Sequence, residues 1–348
     1  MITARTCLVL GAGASAPYGL PPARALRDLI LVQQVADADV AAERYAPAAL
    51  GEQFTPSARK HEGFPKMAWG ALLNKRVMGA GCSHEEIQNF RAEFFASHFP
   101  SVDKFLQANE ARCGRAGLLH IATVLLACEE LHRLDKNWYS DLLQAITPEG
   151  PTDLKEGMLS VVTFNYDRSF ERFFLDAFRF GFNVSDAQAH NIFDRIDVVH
   201  AYGQLGDLGR IPYGSLDNIS NAVEGISLAR TGRENPNRDR INKMLKAAEN
   251  ICFIGFSFAP ENTEIFDLSV LKEKKMIATS IGMSGAREAE VRKLFRGGIK
   301  FFDGTAEELL NSRNIFQGAR SKPATDHLTV KRRPIGWMRD ELSRGWKI

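Results

Sequence analysis

Six short runs of apolar and β-branched residues punctuate the chain: Thr6–Leu10 (TCLVL), Met158–Phe164 (MLSVVTF), Ile196–Tyr202 (IDVVHAY), Asn250–Phe256 (NICFIGF), Lys274–Ile281 (KKMIATSI) and Gly298–Phe302 (GIKFF). Runs this short, without strict alternation, read as strands buried on both faces. Helical periodicity follows several of them, at Arg168–Phe180, Asn262–Lys272, Ala286–Arg296 and Thr305–Asn311. Buried strands alternating with helices predict an α/β fold built on a doubly wound, mostly parallel, Rossmann-like sheet.

Roughly 140 residues separate the first run from the second, too many for an unstructured loop in a compact domain. The gap reads mostly as helix, Ala-rich in VADADVAAERYAPAAL and amphipathic in HEEIQNFRAEFFASHF, SVDKFLQANEARCGRAGLLHIATVLLACEELHRL and WYSDLLQAI. Phe105, Leu106 and Ala108 share a turn with polar Asp103 and Lys104, as on a half-buried helix. The predicted organisation is a sheet domain of residues 1–30 and 151–310, an inserted helical subdomain of residues 31–150, and a tail of residues 311–348.

Composition narrows the class. With 348 residues, 45% hydrophobic and 25% charged, the chain is neither collagen-like, disordered nor coiled-coil. A net charge of +2 gives no overall attraction to nucleic acid or anionic membrane. The charge is uneven, however: from Asn311 onward nine Lys and Arg face three acids, a local +6 that leaves −4 for the rest. That tail reads either as a solvated terminus or as a docking element for a partner or nucleic acid. Five cysteines without a C-x-x-C pair support neither a disulfide framework nor a zinc ribbon, and suit a cytoplasmic location. Leu118–Cys128, the longest apolar stretch, is short of the roughly 18 residues a membrane span needs and reads as a core helix. The eight histidines show no H-E-x-x-H or similar spacing, so no metal is expected.

Chemistry concentrates where strands end. The first strand runs into GAGASAPYGLPP, in which Gly11 and Gly13 permit a tight turn and a close backbone approach to a phosphate. Strand–GxGxxA has the shape of a dinucleotide site, although glycine turns also serve packing. A dehydrogenase fits less well, because no second strand ending in an acid follows at the expected distance of about 20 residues. In SVVTFNYDRSFERFF, Asn165 and Asp167 sit at the carboxyl end of a strand, where open α/β sheets bind ligands; Asp167 also reads as a helix cap. In VVHAYGQLG, His200 and Tyr202 alternate onto one strand face before Gly203 ends the strand, so His200 is either an acid/base group or a structural histidine. Gly255, Ser257 and Asn262 follow the fourth strand and Asp303 the sixth, adding small or polar groups to the same edge.

In this order GAGASAPYGLP, TFNYDRSFE, the His-and-Gly strand and GFSFAPEN resemble the sirtuin-like (Sir2-type) family of NAD-consuming proteins, in its bacterial antiphage-defence branch. HFPSVDKFL and NWYSDLL are similar to that branch too. The resemblance implies that Gly11, Ala12, Gly13, Ala14 and Ser15 hold the pyrophosphate of NAD. Thr163, Asn165 and Asp167 would surround the nicotinamide riboside, with Gly203 beside them. Gly255, Ser257 and Asn262 would line the adenosine half, with Asp303 near the adenine. It further implies an NAD glycohydrolase, with Asn165 positioning ribose and water and a histidine before a glycine acting on the ribose hydroxyls or as base. Here Tyr202, not His, precedes Gly203, so the base falls to His200 or Tyr202. NAD is the expected substrate, and a homo-oligomer with a partner ATPase or other defence subunit the expected assembly. Without a Cys₄ zinc module, deacylation is the poorer fit. The alternative is a subunit that binds NAD or ADP-ribose without turnover.

Overall fold

The computed structural model describes residues 2–32, 34, 44–45, 64–135, 137–228, 234–312 and 314–316. Six strands, β1 (Thr6–Leu10), β2 (Leu159–Thr163), β3 (Asp197–His200), β4 (Asn250–Ile254), β5 (Lys275–Thr279) and β6 (Ile299–Phe302), form one all-parallel sheet in the order β3-β2-β1-β4-β5-β6. Each lies within one of the predicted runs. Every residue of β1 and β4 is buried, as the unbroken apolar runs of central strands require. Strand order reverses direction between β1 and β4, and the crevice at such a switch point is where open α/β sheets take ligands.

The helices follow in chain order: α1 (Ala12–Ser15), α2 (Ala23–Ile30), α3 (Phe64–Gly79), α4 (His84–Ala96), α5 (Val102–Cys128), α6 (Trp138–Ile146), α7 (Ser169–Asp176), α8 (Asp186–Phe193), α9 (Ile219–Ala222), α10 (Arg238–Ala247), α11 (Pro260–Thr263), α12 (Gly285–Leu294) and α13 (Ala306–Asn311). Helices α3 to α6 make up the insertion between the first βα unit and β2. Ser83 and Glu86 close a reciprocal capping box on α4, and the Ser101 hydroxyl caps α5. Helix α5 bends at Asn109, whose side-chain amide donates to the Phe105 carbonyl (2.9 Å) in competition with the backbone ladder. Helix α5 is long and apolar enough to cross a membrane, yet 78% of its most apolar window is buried in the fold. One hydrophobic core runs without a break from the sheet into these helices. Trp138 Nε1 donates to the Ala14 carbonyl (2.9 Å), and the Tyr139 amide donates to the Tyr18 hydroxyl (2.8 Å) while the two tyrosine rings stack at 4.0 Å. The insertion is thereby pinned to the loop that follows β1.

Two expectations change. The helix read over Asn262–Lys272 is only α11, Pro260–Thr263. The Asn242 side chain donates to the Ile265 carbonyl (2.9 Å) and accepts from the Asp267 amide (2.7 Å), diverting groups that a longer helix would pair. The strand expected to reach Tyr202 ends at His200, because the Gly203 amide turns back to the His200 carbonyl (3.3 Å). The Ala-rich helix over residues 35–50 lies outside the described residues except for Arg44 and Tyr45, and so does nearly all of the basic tail.

Candidate functional site

The floor of the crevice is made by two turns packed backbone on backbone. The Gly11 amide donates to the Ile254 carbonyl (3.0 Å) and the Gly13 amide to the Gly255 carbonyl (3.1 Å). A Cβ at Gly11 would lie 2.5 Å from the Gly255 oxygen, and one at Gly255 would lie 2.2 Å from the Ala14 nitrogen. Gly255 also has a φ of +58°, a left-handed conformation that side chains disfavour. The Gly255 amide is tied in turn to Thr279 Oγ1 at the end of β5 (2.9 Å). These glycines are needed for the fit of one strand-end turn on the other, whatever they leave open to a ligand.

Above them is a cavity of about 930 Å³, towards the top of the range of roughly 300–1,000 Å³ seen for ligand sites. Of the expected residues, Gly11, Ala12, Gly13, Asn165, Gly255, Ser257 and Asn262 line it. Ala14, Ser15, Thr163, Asp167, His200, Tyr202, Gly203 and Asp303 are not on its wall. Further lining comes from Phe164 beside Asn165, Thr279, Arg287 on α12, the turn from Gly304 to Glu307, and Asp103 on α5.

Asn165 is held on both sides. Its amide nitrogen donates to Thr163 Oγ1 (3.1 Å), and its side-chain Nδ2 donates to the Gly11 carbonyl (3.0 Å) and to Ser15 Oγ (2.9 Å). A carbonyl can only accept, so the NH₂ end must face Gly11 and both its hydrogens are used. That leaves Oδ1 without a donor among the described residues, on a residue that lines the cavity. Ser15 also hydrogen-bonds the buried Asp167 carboxylate. Asp167 accepts from the Ser169 amide as well (3.1 Å), an Asx turn one residue ahead of the N-cap, Arg168, so the expected cap is not at Asp167 itself. Burial raises the Asp167 pKa, and the Ser169 and Ser15 hydrogen bonds offset part of that rise.

His200 and Tyr202 stand behind this layer. His200 Nδ1 lies 2.8 Å from the Asn165 carbonyl and Nε2 lies 2.7 Å from Glu171 Oε1 on α7. With Glu171 ionised both partners accept, so in the imidazolium form both ring nitrogens donate and the ring has no lone pair to offer. Burial works against the cation, but the Glu171 carboxylate and the Asn165 carbonyl outweigh it and raise the His200 pKa. The Tyr202 hydroxyl donates to Asn262 Oδ1 (2.8 Å), and burial pushes its pKa up. His200 therefore braces the Asn165 peptide, while Tyr202 braces Asn262. Gly203 is held in an isolated bridge to Ile226, and Asp303 is exposed.

One element of the TFNYDRSFE motif has a role that sequence spacing did not disclose. Arg168 is fully buried and pairs with buried Glu129 at the end of α5, Nε to Oε1 at 3.1 Å, while its Nη1 donates to the Ile211 carbonyl (2.6 Å). Glu129 also accepts from the Arg168 and Gly214 amides (3.2 and 3.1 Å). The pair locks the insertion to the loop that bears Asn165. Thr279, a hydroxyl at the carboxyl end of a buried strand, was discoverable from the strand-end rule applied to Asn165. Glu129, Glu171 and Asp103 carried no such signal.

Among the described residues no group of three His, Cys, Asp or Glu side chains could hold a metal ion. No protein-family model matches the chain, and no curated protein matches it.

Proposed function

We propose that the chain is an NAD glycohydrolase, cleaving NAD to nicotinamide and ADP-ribose. One observation carries the reading: the Asn165 amide, on the wall of the switch-point crevice beside the glycine turns, is clamped by its NH₂ end, and among the described residues none donates to its Oδ1. NAD brings its own leaving group. When the C1′–N bond breaks, the electron pair neutralises the pyridinium nitrogen, so no acid is required. What the protein must supply is an oriented dipole for the positive charge developing at C1′ and an acceptor that aligns the attacking water. Asn165 Oδ1 serves for both without bearing charge. The resemblance of GAGASAPYGLP, TFNYDRSFE and GFSFAPEN to sirtuin-like NAD-consuming proteins supports the same substrate. In this reading the protein is a cytoplasmic effector of antiphage defence that depletes NAD as a homo-oligomer. Its basic tail is then a docking element for a partner such as an ATPase subunit.

A second reading has its own support. His200 and Tyr202 are both fully engaged by protein partners, as suits a subunit that binds NAD or ADP-ribose without turning it over. Nicotinamide release from NAD by the purified full chain separates the two. Hydrolysis predicts release that Asn165→Ala lowers by about 10²–10³-fold, the range for loss of one preorganised polar group, in a variant that still folds. Tight NAD binding without release favours the regulatory subunit.

A further inference from the structure

Among the described residues the cavity wall holds two carboxylates, Asp103 and Glu307. Glu307 follows β6, four strands across from β2, which at about 4.8 Å per strand puts it roughly 19 Å from the Asn165 end. Asp103 belongs to the Asn165 end. It enters on the first turn of α5 and its Oδ1 accepts the hydroxyl of Tyr166, the residue after Asn165, at 2.8 Å. Beside it Lys104 pairs with Glu261 of α11 (3.5 Å), next to Asn262 on the same wall. Among the described residues no other residue donates a hydrogen bond to this carboxylate. The His200 ring, by contrast, has both nitrogens committed.

We propose that Asp103, delivered by the inserted helices, is the base of the hydrolysis, taking the proton of the water that Asn165 Oδ1 aligns on C1′. This rests on the NAD reading above. In the step the C1′–N bond breaks and its electron pair goes to the nicotinamide nitrogen. The water oxygen bonds to C1′, one water proton passes to Asp103, and that proton leaves to solvent after ADP-ribose departs. The carboxylate also places a negative charge at the end of the cavity where C1′ becomes cationic. The sheet alone is then an incomplete site, and the insertion completes it.

The groups facing Asp103 set its titration. Burial raises its pKa, Glu261 adds to the rise, and the Tyr166 hydrogen bond opposes it; Tyr202 and the paired Lys104 are the other titratable neighbours. A base must be deprotonated, so turnover falls on the acid side as Asp103 takes up a proton.

The test uses the full chain and NAD, with nicotinamide release followed against pH and NAD affinity measured by calorimetry. Asp103→Asn is expected to bind NAD within about threefold of wild type, to lose about 10²–10⁴-fold in kcat, and to lose the acid limb of the profile. Tyr166→Phe is expected to keep most of the turnover and to move the acid limb to higher pH, because the bond that holds the carboxyl down is gone. Wild-type kcat with an unchanged acid limb in Asp103→Asn would overturn the role. So would parallel loss of NAD binding and turnover in both variants, which marks Asp103 as mere support. Wild-type protein that binds NAD and releases no nicotinamide overturns the hydrolytic reading and this role with it.

Discussion

The two sides of the crevice floor are built on different principles. At the β1–β4 side the chain has removed side chains: Gly11 and Gly13 lie against Gly255, and contact is backbone to backbone. At the β2–β3 side polar groups brace one another, Asn165 by Gly11, Ser15 and His200, His200 by Glu171, and Tyr202 by Asn262. Shape is what the first side contributes, and it tolerates no added atom. The second side contributes orientation, and its loss shows in chemistry before it shows in folding. The glycine fingerprint therefore reports chain packing as much as ligand contact, while Asn165 and its braces carry the functional argument.

The sharpest break of this contrast is Gly255→Ala. A methyl group 2.2 Å from the Ala14 nitrogen at a φ of +58° is expected to cost about 3 kcal/mol or more, read as a lower denaturant midpoint. Glu171→Gln comes next. The folded His200 pKa is raised above its ordinary 6.5, so the pair contributes fully below that pH, and the contribution is lost as pH rises through the raised value. Denaturation is expected to show Glu171→Gln less stable by about 1.5–3 kcal/mol at low pH, with the gap closing as pH rises. A gap that widens with pH would contradict the imidazolium assignment. Smallest is Tyr202→Phe, expected to cost about 0.5–1.5 kcal/mol and to leave most nicotinamide release intact. Full loss of release in Tyr202→Phe, with His200→Ala active, would move the chemical role to Tyr202.

The sheet was legible because its signal is local. TCLVL and NICFI are buried from end to end, and an apolar run of that length has few other uses. The insertion was legible as helix but not in its joins. Val102–Cys128 is one helix of 27 residues, inside the single amphipathic stretch read there, but nothing in that pattern marked its bend at Asn109. Asn262–Lys272 failed because a distant side chain, Asn242, captures the backbone at Ile265 and Asp267. The site divided in the same way. Asn165, Ser257 and the glycines stand at strand ends, a position that periodicity marks. Glu129, Glu171 and Asp103 act through partners 39, 29 and 63 residues away, and each in isolation looks like an ordinary surface acid on a helix.

The most direct test compares NAD binding and nicotinamide release in wild-type protein and Asn165→Ala, with the full chain and both proteins folded at the assay temperature. The account expects release by the wild type and loss of about 10²–10³-fold in the variant, with binding largely kept. Equal release by the two proteins would contradict it.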